Sequence, residues 1–308
     1  MKKISIIIIV IWVTFITLFA AKKEVIKITY VKSPLNVPSI VEKEKEIFKK
    51  RSEKYGIDIE YSNLTTGPEQ TQALASGDIK FLNAVGATSV LLSAGNGGDI
   101  KIISIYSRSP KAFMLFSKDK DEINRVSLKG KKIAGPKGTI LHELLISYLK
   151  NYGLTENDIE FIAMGIPESQ AALVNGSVDF ALLAGPAASN MIKDGYNVVT
   201  DGTGLVDATI VVATSKKYYD ENKDKVEEFL LGQKEVLEYI DNNYDEVIKI
   251  TAKETGLDVD IVKEMIKVYD FDMTIRDSDI QSVEKTLNFL YDNKMLENKI
   301  DVRDLFVK

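Results

Sequence analysis

The chain has no cysteine and only one histidine and one tryptophan among its 308 residues. Without cysteine there is no disulfide framework, no thiolate nucleophile and no cysteine for lipid attachment after the signal. The same counts exclude metal sites built on histidine or cysteine. No nucleophile-elbow, zinc-protease, P-loop or dinucleotide-binding spacing occurs after residue 21. Only a mechanism based on paired carboxylates stays open to an enzyme, because the chain has 45 acidic residues.

Neither positive nor negative charge is in large excess. The net charge is -5, with 45% hydrophobic and 28% charged residues, as in soluble globular proteins. A nucleic-acid partner is not expected, since it would require a clustered basic patch. A chain of this length favours two domains of ordinary size, each with its own core.

The amino terminus differs from the rest of the chain. Lys2 and Lys3 precede an apolar run, Ile4 to Ala20, that contains the single tryptophan. This pattern predicts a signal peptide over residues 1–21 and an exported, periplasmic protein. An uncleaved anchor is the alternative, because cleavage here would leave Leu18 or Phe19 where a small residue is preferred.

An internal repeat is the most informative feature that is present. The segment from Pro68 to Gly86 recurs 99 positions later, from Pro167 to Gly185, with seven identities in nineteen positions. Each copy predicts a helix that opens with proline, a glycine stop, a buried strand and a second helix. The chain is therefore predicted to form two similar lobes with a cleft between them.

Strands alternate with helices on both sides of the repeat, which predicts an α/β fold with mostly parallel sheets flanked by helices. We expect lobe one to comprise residues 22–110 and 208–308, with a helix over Pro38 to Arg51 and a helical carboxyl-terminal region that includes a helix over Tyr244 to Thr255. Lobe two is expected over residues 111–207. The two connections, near Ser109-Pro110 and Val206-Asp207, then form a hinge that permits opening and closing.

The loops at the carboxyl ends of the strands are the expected ligand site. In the turn Pro136 to Thr139, Gly138 allows close backbone approach, and Thr139 is placed to begin a helix whose positive end favours an anion. An ordinary helix cap is the alternative. Lys137 and Arg108 could each pair with an acidic ligand or lie on the surface. Tyr106 could stack on a ligand or cover the hinge. The single histidine, His142, is expected to be a partly exposed helix residue.

Several of these motifs resemble ABC-transporter substrate-binding proteins of the nitrate/sulfonate/taurine and thiamine-pyrimidine group. They are Gly77-Asp78-Ile79-Lys80-Phe81 before a helix start at Gly86, Gly130 to Ala134 followed by Pro136 to Thr139, and Val174 to Phe180. The resemblance implies a type II periplasmic-binding fold that delivers a small solute to a membrane permease. We expect a monomer without cofactor or metal.

Positions matching the family's ligand loops are expected to bind the solute. They are Ser33, Leu35, Asn36, Asn83, Ala84, Gly86, Tyr106, Ser107, Lys137, Gly138, Thr139, Gly165, Ala184, Gly185 and Asp207. Sulfonates, nitrate-like anions, pyrimidines and other small aromatic solutes all stay open. An exported sensor domain and a carboxylate-dependent enzyme on the same fold are the alternatives to a transport role.

Overall fold

The computed structural model describes residues 23–32, 35–118 and 128–307. The predicted signal peptide and Ser33 lie outside these ranges. Two five-stranded sheets form the centres of two lobes in the described part of the chain. The strand order is β2 (Ile57–Ser62), β1 (Glu24–Thr29), β3 (Phe81–Gly86), β10 (Thr209–Thr214), β4 (Lys101–Arg108) in one sheet and β7 (Glu160–Ala163), β6 (Lys132–Gly135), β8 (Phe180–Ala184), β5 (Phe113–Ser117), β9 (Asn197–Asp201) in the other. In each sheet one strand, β10 or β5, runs antiparallel to its neighbours. The predicted α/β two-lobed fold with mostly parallel sheets is confirmed.

The sheet of lobe one is built from both ends of the chain. Its elements are β1 (Glu24–Thr29), α1 (Val37–Lys45), α2 (Ile47–Glu53), β2 (Ile57–Ser62), α3 (Gly67–Ala75), β3 (Phe81–Gly86), α4 (Ala87–Gly95), β4 (Lys101–Arg108) and β10 (Thr209–Thr214). Its strands carry the alternating or continuous apolar residues that central strands require, and Phe81, Leu82 and Val85 are buried.

The sheet of lobe two is continuous in sequence. Its elements are β5 (Phe113–Ser117), β6 (Lys132–Gly135), α5 (Ile140–Asn151), β7 (Glu160–Ala163), α6 (Ile166–Asn175), β8 (Phe180–Ala184), α7 (Gly185–Lys193) and β9 (Asn197–Asp201). The two copies of the repeat form equivalent units, α3-β3-α4 in lobe one and α6-β8-α7 in lobe two. Short 3₁₀ helices cover Pro110–Ala112, Glu156–Asp158 and Val302–Leu305.

Helices predominate after β10. They are α8 (Lys216–Glu221), α9 (Lys223–Asn242), α10 (Tyr244–Thr255), α11 (Val259–Ile266) and α12 (Asp277–Asp292). Helix α9 packs against α1 and α2, α10 against α1, and α12 against α4. The carboxyl-terminal region therefore packs on lobe one. Within the described ranges, no helix is both long and apolar enough to cross a membrane.

One predicted element is wrong in detail. The periodicity over Pro38 to Arg51 predicts one helix, but the structure divides it at Glu46, whose φ is 53°. A residue in the left-handed backbone conformation cannot continue a right-handed helix. The change of direction places Ile47 and Phe48 in the core, where both are buried, and tertiary packing therefore prevails over the local helical preference.

Candidate ligand-binding cleft

A cavity of about 370 Å³ lies between the two sheets, at the carboxyl ends of their parallel strands. Both lobes contribute to its wall. The lining residues are Val31, Lys32, Asn36, Asn63, Thr65, Thr66, Gly67, Gln70, Ala84, Gly86, Ser89, Phe113, Pro136, Thr139, Ile140, Leu141, Ile166, Pro167, Gln170, Ala184, Pro186, Ala187, Asn190 and Ile210. The cavity is large enough for a small organic molecule.

Among the described residues, six helices begin at this cavity, three from each lobe. Their first residues or caps are Asn36 (α1), Gly67 (α3), Gly86 (α4), Thr139 (α5), Ile166 (α6) and Ala184 (α7). The arrangement follows from the fold, because each helix of a strand-helix unit starts where its strand ends. Six positive helix ends therefore surround one space.

Most of these helix ends have no capping side chain. Of the six, only α3 has a side-chain cap hydrogen bond, from the Glu69 backbone N–H to Thr66 Oγ1 at 3.4 Å. The first backbone N–H groups of a helix have no partner inside the helix. At the cavity, several such donors are thus available to a bound group with acceptor oxygens.

The charge of the lining has one sign. Among the described lining residues Lys32 is the only charged side chain, and no carboxylate is present. Lys32 Nζ lies 3.6 Å from Glu254 Oε1, and the two side chains are 44% and 38% exposed. An exposed pair of this kind is weak, so Lys32 can also interact with a bound anion.

The rest of the wall combines hydroxyl and amide groups with apolar side chains. Phe113, Ile140 and Ile210 are apolar lining residues that belong to one hydrophobic cluster. Gln70 is 2% exposed; its Nε2 donates to Leu64 O at 3.4 Å, and its Oε1 has no hydrogen-bond partner in the described part of the chain. The cavity therefore suits a molecule with an anionic head and an apolar body.

The two lobes are in contact beside the cavity. Ser89 Oγ of lobe one donates to Gly138 O of lobe two at 2.8 Å. Gly138 has a φ of 71°, and a Cβ placed there would lie 3.3 Å from Leu92 Cδ1. The left-handed φ favours glycine at this point, and an added Cβ would make a tight contact with Leu92 of the other lobe. The structure therefore has a closed cleft.

His142 supports the turn that carries Gly138. Its ring is 0% exposed, which corrects the expectation of a partly exposed residue. Nε2 lies 2.9 Å from Glu156 Oε2, Nδ1 is 3.4 Å from the Gly138 backbone N–H, and the ring stacks on Phe161. Burial lowers the pKa of His142 despite the nearby carboxylate. The neutral ring fits this role, since one nitrogen donates to Glu156 and the other accepts from Gly138.

The structure brings together five of the residues predicted to bind ligand. Asn36, Ala84, Gly86, Thr139 and Ala184 line the cavity. Ala84 has a φ of 76° and lies at a shift of register between β3 and β10. The bulge places its backbone at the cavity. Direct contact of these five residues with a ligand stays a prediction.

The other predicted residues lie elsewhere. Leu35, Asn83, Tyr106 and Ser107 are buried in lobe one, where Asn83 Nδ2 donates to Ser39 Oγ at 3.2 Å and Tyr106 Oη lies 2.8 Å from the same oxygen. Gly138 and Gly165 stand at turns beside the cavity, and Gly185 lies behind it. Lys137 pairs with Glu156, and Asp207 with Lys285, both at 3.3 Å. Their ligand-binding role is untested.

Arg108, the second candidate cation, has a structural environment. Its Nε and Nη2 contact the two carboxylate oxygens of Asp279, each at 2.6 Å, and Nη1 lies 3.2 Å from Asp270 Oδ2. Nη1 and Nη2 also donate to the carbonyls of Asp272 and Thr274. The guanidinium thus fastens the segment before α12 to β4.

Sequence reasoning missed several lining residues, above all Lys32, Gln70 and Phe113. Gln70 could have been found, because it lies in the first turn of a repeat helix that starts at a strand end. Lys32 and Phe113 gave no such signal, since each belongs to a strand end whose position is known only from the sheet. The described residues contain no group of three or more acidic or histidine side chains able to hold a metal.

Residues 34–247 match the NMT1/THI5-like family model. The chain belongs to this family. A Bacillus subtilis (strain 168) protein, provisionally named an aliphatic sulfonates-binding protein, is 29% identical over 273 residues, 87% of this chain and 82% of its own length. The taurine-binding periplasmic protein of Escherichia coli (strain K12) is 29% identical over 146 residues, 47% of this chain and 45% of its own. The predicted family resemblance is confirmed.

Solved structures agree with the fold of this NMT1/THI5-like chain. The alkanesulfonate-binding protein SsuA from Xanthomonas axonopodis pv. citri, bound to MOPS, superposes with a TM-score of 0.83 at 22% identity and covers 94% of this chain and 99% of its own. The periplasmic aliphatic sulphonate binding protein SsuA from Escherichia coli gives 0.77 at 22% identity, with 92% of each chain covered. The chain therefore has the two-lobed binding-protein fold.

Proposed function

We propose that this protein is an extracytoplasmic solute-binding protein that closes its lobes on a small organic anion, of the sulfonate type, and delivers it to the permease of an ABC transporter. The observation that carries the proposal is the cavity itself. Six helix amino termini and Lys32 surround it, and its described lining has no carboxylate. Helix amino termini favour anions because their free N–H groups and dipoles point at the ligand.

The sulfonate class fits this geometry best. A sulfonate has three acceptor oxygens around one charge, which matches N–H donors that converge from several directions. Its organic group would lie on the apolar surface of Phe113, Ile140 and Ile210. The names of the relatives in Bacillus subtilis and Escherichia coli point to the same class. Nitrate would leave the apolar surface unused, and a neutral pyrimidine would leave the charge uncompensated.

Opening and closing are the expected working cycle. The lobes are joined by two connections, one between β4 and β5 and one between β9 and β10, and we propose that these form the hinge with lobe boundaries at 110/111 and 207/208. Solute contacts from both lobes form only in the closed state, so the solute shifts the equilibrium toward it. Delivery then requires transient contact with a permease, which suits an exported monomer with residues 1–21 as its signal peptide.

The first experiment is native mass spectrometry of the protein purified from its native host, followed by unfolding and identification of any released molecule. Calorimetry on the stripped protein then compares ethanesulfonate with ethanesulfonamide, which has nearly the same shape and no charge. Taurine, MOPS, nitrate and a pyrimidine complete the set. We expect the sulfonate to bind about tenfold more tightly than the sulfonamide, or better.

The outcomes separate the parts of the proposal. Equal binding of ethanesulfonate and ethanesulfonamide would contradict an anion site but keep the solute-binding role. No released molecule and no binding of any compound in the set would favour a sensor domain or an enzyme. Loss of sulfonate uptake by host cells after deletion of the gene would support delivery to a permease, whereas unchanged uptake would contradict it.

A further inference from the structure

A second space lies behind the cavity. It encloses about 700 Å³ between α7 of lobe two and α11 of lobe one, together with Val268 and Tyr269. We call it the back crevice. Its walls are mainly apolar and include Ile192, Ile261 and Met265. Ile192 is 49% exposed, although it is a large aliphatic residue.

One hinge strand separates the back crevice from the ligand cavity. Phe113, the first residue of β5, lines the cavity, whereas its neighbours Ala112 and Met114 line the back crevice. At the end of β8, Ala184 lines the cavity, and the next residue, Gly185 at the start of α7, lines the back crevice. Successive strand residues point to opposite sides. A rotation about this hinge that narrows one space therefore widens the other.

The structure shows the cleft closed and the back crevice open. In the described part of the chain, the hydrogen bonds Ser89 to Gly138, Thr88 to Glu143 and Thr286 to Glu143 join the lobes on the cavity side. On the other side, the described polar contacts between α7 and the α11 region are Ser189 Oγ to Met265 Sδ at 2.9 Å and the exposed Lys193–Asp258 pair at 3.2 Å. Between these contacts Ile192 is exposed and Ile261 and Met265 are half-buried, so apolar surface stays accessible in the back crevice.

We infer that the back crevice opposes ligand binding. Its two apolar walls pack together when the cleft opens, and this packing favours the open state of the solute-free protein. Burial of apolar surface is favourable in proportion to its area. Closure must expose that apolar surface again, so the binding of solute has to offset the free-energy cost of this exposure. Packing in the back crevice therefore lowers the affinity for every solute, although the back crevice does not contact the solute. This inference holds whatever solute class the cavity takes.

The test measures opening directly and needs no solute. The chain has no cysteine, so spin labels attach only at introduced positions, and we choose Gln72→Cys on α3 and Ala171→Cys on α6. Both residues are exposed and lie at matching positions of the two repeat helices. Pulsed electron–electron double resonance on protein stripped of bound solute then gives the populations with short and long separations between the two labels.

Two variants of Ile192 test the wall in different ways. Ile192→Trp adds bulk that props the back crevice apart, and Ile192→Ser removes apolar surface that would be buried on opening. Both are expected to raise the population with the short, closed separation by about threefold or more. Val174→Trp on α6 is the matched control, because Val174 is also 49% exposed and lines neither space. It should leave the populations unchanged.

Two results would overturn the inference. One is an unchanged or more open distribution in both Ile192 variants, and the other is a solute-free wild-type protein that is already fully closed. Thermal melting followed by circular dichroism checks that each variant folds. If Ile192→Trp does not fold, the label distances of Ile192→Ser alone test the inference. A failure of the sulfonate titration leaves this experiment unaffected, so the two proposals can fail separately.

Discussion

Glu143 of lobe two accepts a hydrogen bond from Thr88 of lobe one, with 2.8 Å between Glu143 Oε2 and Thr88 Oγ1. Its other oxygen accepts from Thr286 Oγ1 on α12 at 3.0 Å. Burial raises the pKa of Glu143 to about 7, the two hydroxyl donors oppose that rise, and the charge of Asp207 adds to it. The carboxyl group thus joins three helices and stays protonated up to a higher pH than a carboxyl group in water.

This proton makes stability depend on pH. Between the ordinary pKa of about 4.5 and the raised value of about 7, the folded protein binds a proton that the unfolded chain has lost. The free energy of unfolding should therefore fall as pH rises through this window. Glu143→Gln keeps the shape of the side chain and should reduce the slope by up to about 1 kcal/mol per pH unit. Denaturant unfolding from pH 5 to 8 measures it.

Two comparisons make that result specific. Glu42 is also buried, with its pKa raised to about 7, so it should supply the slope that persists in Glu143→Gln. Glu227→Gln, on the exposed face of α9, should change nothing. A Glu143→Gln protein with the slope of the wild type would show that this carboxyl group titrates normally.

A single substitution at the cavity can separate helix capping from anion binding. Thr139 is the N-cap of α5 and lines the cavity, and its Oγ1 donates to Pro136 O at 2.8 Å. Asp and Asn both cap helices well. Thr139→Asp should keep or increase stability but place a negative charge beside the ligand, and we expect affinity for ethanesulfonate to fall about tenfold or more.

Thr139→Asn is the control, since it caps equally and adds no charge. Calorimetry gives the two affinities, and thermal melting shows that both variants fold. Similar ethanesulfonate affinities for the Asp and Asn variants would mean that the anion binds away from the start of α5.

Lys32 should contribute to affinity in a way that salt can screen. Its side chain is 44% exposed, and interactions of exposed charges weaken strongly beyond the screening length, about 8 Å at physiological ionic strength. Lys32→Gln should lower ethanesulfonate affinity several-fold at low salt and much less at high salt. Titrations at low and high sodium chloride concentrations measure the difference. An unchanged salt dependence in Lys32→Gln would exclude a direct role for this cation.

Arg108 should matter for stability and not for solute affinity of the folded protein. Its partner Asp279 has a side chain only 3% exposed, so Arg108→Met would leave a buried carboxylate without its cation. Such a loss costs about 3 kcal/mol or more of unfolding free energy. The exposed pair Lys285–Asp207 is the control, and Lys285→Met should cost less than about 1 kcal/mol.

A double variant checks the cause of that effect. Because Arg108→Met/Asp279→Asn removes both charges, it should lose less stability than the sum of the two single changes. Additive losses in denaturant unfolding would show that the two side chains act independently.

The general architecture could be predicted from local signals. The repeat predicts α3-β3-α4 and α6-β8-α7, because prolines at helix starts, glycine stops and apolar strands are encoded within a few residues. Helix α10 has the predicted bounds, Tyr244–Thr255. The break at Glu46 was not predictable in this way, since it depends on where the core needs Ile47 and Phe48.

Which polar side chains reach the cavity depends on the assembled lobes. Asn83 and Ala84 are adjacent, yet Asn83 bonds to Ser39 and Gln233 in the core, whereas Ala84 lines the cavity. Lys137 and Lys32 both follow strands, but only Lys32 lines the cavity. The sequence alone determined the alternating elements, the duplicated lobes and the helix starts, because these signals are local. Only the tertiary structure decided which groups share one space, because bulges, sheet order and distant partners set the direction of each side chain.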